Sequence, residues 1–139
     1  MATELRPGDI LDYPYLWAWQ DANGKTEGRK ERPVCLLVSL TGRIGTVLVL
    51  LPITATAPGL DDVAVEIPAI EARRAGLADW KRGWVIVSEA NFDSLENSWY
   101  FNQDQPPRGR FSSVFLSKIS ARLQNLLKAG NLRRVKRSE

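Results

Sequence analysis

The chain has 139 residues, no histidine and one cysteine. Without histidine it lacks the commonest general base and the commonest zinc ligand. With one cysteine it can form neither an internal disulfide nor a thiolate-built zinc site. Cys35 lies in the apolar run Pro33-Val34-Cys35-Leu36-Leu37-Val38 and reads as a small buried hydrophobe, a usage that suits a reducing cytoplasm. The opening, Met1-Ala2-Thr3-Glu4-Leu5-Arg6-Pro7-Gly8-Asp9, has no charged segment followed by an apolar one, so no export signal is expected. The longest apolar stretch, residues 47 to 53, is too short to span a bilayer, and no membrane partner is expected. Any chemistry must run on Arg, Lys, Ser, Thr, Tyr or carboxylates, and neither a zinc site nor a cofactor is expected.

What is present suffices for one core. Hydrophobic residues make up 44% of the chain, which argues against disorder and for one domain, residues 1–131. The net charge of +3 is local: removing the basic tail's four cations (Arg133, Arg134, Lys136, Arg137) and Glu139 leaves the remainder neutral. Residues 132–139 are expected to be a frayed, disordered tail. A second cluster, Lys25, Arg29, Lys30 and Arg32 against Glu27 and Glu31, reads either as a solvated loop or as a surface that faces phosphates.

The pattern predicts a mainly β protein with helical decoration. A first strand opens after Pro7-Gly8, and residues 15–19 alternate large and small as its continuation, with Trp17 and Trp19 on one face. That pair suits a core, a dimer interface or base stacking. Asn23-Gly24 suits a reversal. Residues 33–40 and 45–53 form a hairpin, residues 63–67 and 83–88 two strands, and residues 97–101 a less marked one. Residues 103–110 read as a polar loop. Pro68 and Gly76 bracket a short helix. The clearest helix follows Ser112 or Ser113 as cap, with Phe115, Leu116, Ile119, Leu123, Leu126 and Leu127 in one stripe and Gly130 as terminator.

Four segments in order resemble the MazF/PemK family of toxin-antitoxin endoribonucleases: Arg6-Pro7-Gly8-Asp9-Ile10-Leu11, Glu27-Gly28-Arg29-Lys30-Glu31-Arg32-Pro33-Val34, Leu50-Leu51-Pro52-Ile53-Thr54, and the terminal helix of residues 115–127. The resemblance implies an SH3-like, CcdB/PemK-like barrel, a homodimer, a cytoplasmic location and a cognate antitoxin partner. The implied activity is metal-independent cleavage of single-stranded RNA, in which the 2′-hydroxyl attacks the adjacent phosphorus. Arg32 matches the family's catalytic Arg and Thr54 its catalytic Thr. Arg29, Lys30, Asn91 and Asp93 are the candidate RNA-binding residues. Many members carry an Arg-Thr-Ile-Asp-like segment where this chain has Ser88-Glu89-Ala90-Asn91-Phe92-Asp93: an acid is kept, the Arg is not. Asn91 is left to contact a base edge or to cap a turn. The alternatives are a non-cleaving, topoisomerase-binding toxin that uses the terminal helix, or a catalytically inactive nucleic-acid-binding module of the same fold.

Overall fold

The structure is a computed structural model that describes residues 5–24, 30–43, 45–96, 98, 100 and 105–137. Strand β1 (Asp9–Tyr13) is followed by a short helix α1 (Ala18–Ala22), then by the long hairpin β2 (Arg32–Gly42) and β3 (Gly45–Thr54). Next come β4 (Ala64–Glu66), helix α2 (Ala69–Arg74), β5 (Trp84–Ile86), β6 (Glu89–Ser94) and the two-residue β7 (Gly109–Arg110). Helix α3 (Ser113–Lys128) and strand β8 (Arg133–Lys136) complete the described elements. Among the described residues the strands form one curled sheet of eight, in the order β4-β5-β3-β2-β1-β7, with β6 on β3 and β8 on β6. All pairings are antiparallel except β6 with β8.

The sheet buries both faces because its strands are apolar on both. One face carries Ile10, Cys35, Leu51, Ile53, Val85 and Ala90, and α3 lays Phe115, Ile119 and Leu123 on it. Burying those three helix side chains contributes roughly 1.5–3 kcal/mol each before entropy is counted. The opposite face carries Leu11, Tyr13, Val34, Leu36, Leu48 and Leu50, with Tyr15 and Trp17 folded over it. Cys35 is fully buried, as its surroundings in the sequence imply, and burial pushes its thiol pKa well up.

The helix ends follow local rules. Ser112 caps α3 by accepting from the Phe115 N–H at 3.2 Å. After α3 the Asn131 N–H donates to the Leu126 carbonyl and the Gly130 N–H to Leu127, with Gly130 at φ +74°. This is a left-handed helix terminator that consumes two carbonyls left over at the helix end. The same arrangement closes α2 at Gly76. Gly109 is required for space: a Cβ there would stand 2.0 Å from the Arg74 carbonyl oxygen.

Three expectations are corrected. Residues 15–19 do not continue β1. Pro14 has no N–H to extend a ladder, and Gln20 turns back to accept from the Trp17 N–H at 3.0 Å, which starts α1. Trp17 and Trp19 therefore do not share a strand face: Trp17 is half-buried and Trp19 is 61% exposed. The expected disordered tail is, over Arg133–Lys136, a strand with Val135 buried. It pairs with β6, itself a strand that the sequence reading missed. Gly109 and Arg110, expected in a loop, pair with β1. The proposed strand at residues 97–101 lies largely outside the described residues.

Among the described residues no helix is long and apolar enough to cross a membrane.

Candidate functional site

Arg32 opens β2 and Thr54 closes β3, and because the two strands are antiparallel, both residues stand at the same end of the hairpin. Arg32 is opposite Tyr13 of β1, and Thr54 is opposite Trp84 of β5, which is in turn opposite Glu66 of β4. Residues opposite each other across a ladder project to the same face. The sheet thus lines up Tyr13 and Arg32 on one side and Thr54, Trp84 and Glu66 on the other as a row across its end.

Among the described residues Arg32 has no counter-charge. Its guanidinium lies over the Trp17 ring, 4.9 Å from the centroid, and Trp17 packs edge-on against Tyr15 at 5.1 Å. Its Nε is buried with no hydrogen-bond partner among the described residues, and no carboxylate among them pairs with it. Burial lowers its pKa from the ordinary value. A buried donor left unmatched costs about 1–3 kcal/mol, so an anion that accepts from it recovers that energy. The Thr54 hydroxyl oxygen accepts from the Thr56 N–H at 3.1 Å, which fixes the rotamer and leaves the hydroxyl proton available to donate. Lys30 is exposed just before β2. Arg29, with Lys25 and Glu27, lies outside the described residues.

Asn91 and Asp93 occupy a different position from the one expected. Both are buried, 0% and 1% exposed. Asn91 holds residue 16 as a strand neighbour would: its Oδ1 accepts from the Leu16 N–H at 2.9 Å and its Nδ2 donates to the Leu16 carbonyl at 2.7 Å. Asp93 accepts from the Tyr13 hydroxyl at 2.6 Å and from the Ser98 hydroxyl at 2.5 Å. Neither turns a polar atom outward to meet a base edge: Leu16 claims Asn91, and Tyr13, Ser98 and the Ser94 N–H claim Asp93.

With Glu89 they form a polar spine along one side of β6 that sequence reasoning missed. Glu89 accepts from the Tyr15 hydroxyl at 3.0 Å and the Ala18 N–H at 2.9 Å. Burial raises its pKa, although those two hydrogen bonds and Arg133 oppose the rise. Burial first, then the hydrogen bond to Asp93, also raises the Tyr13 pKa. Arg137 locks the spine from the chain's end. Its Nη1 donates to the Pro14 carbonyl at 2.7 Å and to Asn91 Oδ1 at 3.2 Å, and its guanidinium lies 3.9 Å from the Tyr100 ring centroid. The spine fixes the segment that sets Trp17 beneath Arg32. The signal for it was the spacing of Glu89, Asn91 and Asp93 at every second residue.

Among the described residues no group of three or more His, Cys, Asp or Glu side chains is gathered as a metal ion would require. No protein-family model and no curated protein matches the chain.

Proposed function

We propose that the protein is a metal-independent endoribonuclease toxin of the MazF/PemK type, on a CcdB/PemK-like, SH3-like barrel. The observation that carries this reading is Arg32, a half-buried cation with an unmatched donor and no carboxylate partner among the described residues, at the same hairpin end as Thr54. The resemblance of the four sequence segments supports it. In the proposed reaction the 2′-hydroxyl of single-stranded RNA attacks the adjacent phosphorus and the 5′-oxygen leaves. Products are a 2′,3′-cyclic phosphate and a 5′-hydroxyl. Negative charge grows on the two non-bridging oxygens, and a planar guanidinium binds both together. Thr54 donates to the same phosphate. Lys30, with Arg29, attracts the flanking backbone. In keeping with the family resemblance, the active form is a homodimer in the cytoplasm, silenced by an antitoxin.

The topoisomerase-binding alternative needs an apolar face on the terminal helix, and α3 already places that face on the sheet. No observation favours it. The test is the cleavage rate of a mixed-sequence single-stranded RNA in EDTA. Removing one preorganised donor costs roughly 100- to 1,000-fold in such reactions. Arg32→Ala is expected to lose that much, and Thr54→Ala at least tenfold, with both variants folded. An unchanged rate in folded Arg32→Ala would refute the assignment.

A further inference from the structure

A cleft of about 560 Å³ opens on the other side of the row, between α2, the 77–83 turn and the start of β5. Neither Arg32 nor Thr54 lines it. Its size is that of a small-molecule site. The walls are set by the backbone: the Gly76 terminator swings the chain out of α2, the Trp80 N–H donates to the Leu77 carbonyl at 3.0 Å, and the Ile67 N–H donates to the Gly83 carbonyl at 2.8 Å. Gly83 makes room for the indole, since a Cβ there would meet Trp80 Cε3 at 3.1 Å. Ile67, Ala72, Leu77 and the half-buried Trp80 give the cleft an apolar, aromatic lining.

The charged side chains that line the cleft are three cations, Arg73, Lys81 and Arg82, and one anion, Glu66. Glu66 is bound by Arg82 through two hydrogen bonds, Nε to Oε2 at 3.0 Å and Nη2 to Oε1 at 3.1 Å. Arg82 also lies over Trp84, 4.7 Å from the ring centroid. Arg73 and Lys81, both exposed and both lining the cleft, form no ion pair among the described residues. A cavity with an indole wall and two cations that form no ion pair among the described residues fits a ligand with a planar ring and a phosphate. The ring stacks or packs on Trp80 and the phosphate meets Arg73 and Lys81.

We infer that this cleft is a binding site for a nucleotide unit, a planar base carrying one phosphate. The unit is either a free nucleoside monophosphate or one nucleotide of a single RNA strand. Glu66 at the cleft mouth is two strands from Thr54, about 10 Å at ordinary strand spacing, within reach of the same RNA. The site does not depend on the cleavage reading.

Calorimetric titration of the full chain with AMP tests it. Arg73→Glu/Lys81→Glu is expected to weaken AMP binding at least tenfold, and Trp80→Leu at least fivefold. Inorganic phosphate should bind at least tenfold more weakly than AMP. A 2′-O-methyl tetranucleotide, which cannot be cleaved, separates the sources. Tighter binding than AMP, still abolished by the charge reversal, assigns an RNA nucleotide, and binding no tighter than AMP assigns the free one. No AMP binding, AMP binding untouched by the charge reversal, or phosphate binding equal to AMP would overturn the inference. The charge reversal alters exposed side chains only, so it decides the matter even if Trp80→Leu does not fold.

Discussion

An arginine that meets no counter-ion among the described residues is an unusual thing to half-bury, and the chemistry of Arg32 follows from how it is kept. Trp17 offers the guanidinium a π-face in place of a carboxylate, which leaves its in-plane donors for a phosphate. Arg32→Lys keeps the charge but not the planar fork, so cleavage is expected to fall about 100-fold while the melting temperature stays within a few degrees of wild type. A lysine variant with wild-type rate would mean that charge alone suffices. Glu89 gives a second check at this scale. Its folded pKa is raised above the ordinary 4.5, so the folded state binds its proton more tightly than the unfolded chain. The stability this contributes is fully present below 4.5 and is lost as pH rises through the folded value. Glu89→Gln keeps an acceptor for Tyr15 and Ala18 and removes the charge. Denaturant titrations from pH 4 to pH 8 should therefore give a flatter stability profile for the variant than for wild type. Parallel profiles would exclude Glu89 as their source. The place of Arg32 at the start of a strand was legible in the sequence from the apolar run that follows it, while its role rests on the family resemblance. Asn91 and Asp93 were not, since a polar residue on a strand looks the same whether it faces water or another segment's backbone.

Among the elements, the β2–β3 hairpin and α3 were read correctly from their apolar pattern, and α2 from the Pro68 and Gly76 that bracket it. Strand β6 was missed because every second side chain is polar and meets hydrogen-bond partners from residues 13–18, far away in sequence. Strand β8 was missed because four cations in five residues look solvated. In space Arg133 meets Asp62 at 3.0 Å, and Arg137 meets the Pro14 carbonyl. A chain ending at residue 131 loses Val135 from the core and Arg137 from the spine. It should be less stable by at least about 3 kcal/mol in urea denaturation. Unchanged stability would return the tail to the frayed state expected from sequence. The junction of α2 and α3 is equally specific. Glu71 accepts from the Ser112 N–H at 2.9 Å, the Ser112 hydroxyl at 2.8 Å and Arg74 at 2.7 Å. Burial would raise its pKa, yet Ser112 and Arg74 hold it below the usual carboxylate value. Its contribution is therefore present above the unfolded value and lost as pH falls through the folded one. Glu71→Ala should cost about 3 kcal/mol at pH 7 and progressively less below pH 4, read from denaturant midpoints. An equal cost at pH 7 and pH 3 would mean that the carboxylate's charge is not what matters.

For the whole molecule, the sheet assigns its two faces different work. One takes α3 and holds the apolar core. The other combines an apolar patch with the buried polar spine, the stacked Arg32 and the Thr54–Trp84–Glu66 row. A mainly β architecture was readable from strand lengths and turn residues. The division of labour between faces was not, because it depends on which segment folds over which. The central claim is that this second face cleaves RNA by in-line attack of the 2′-hydroxyl, with Arg32 as the charge clamp. The most direct measurement is mass spectrometry of the fragment ends after the purified wild type acts on single-stranded RNA in EDTA. The expected result is discrete fragments ending in 2′,3′-cyclic phosphate with 5′-hydroxyl partners, absent with folded Arg32→Ala. Intact RNA with the folded wild type, or fragments bearing 5′-phosphates, would contradict it.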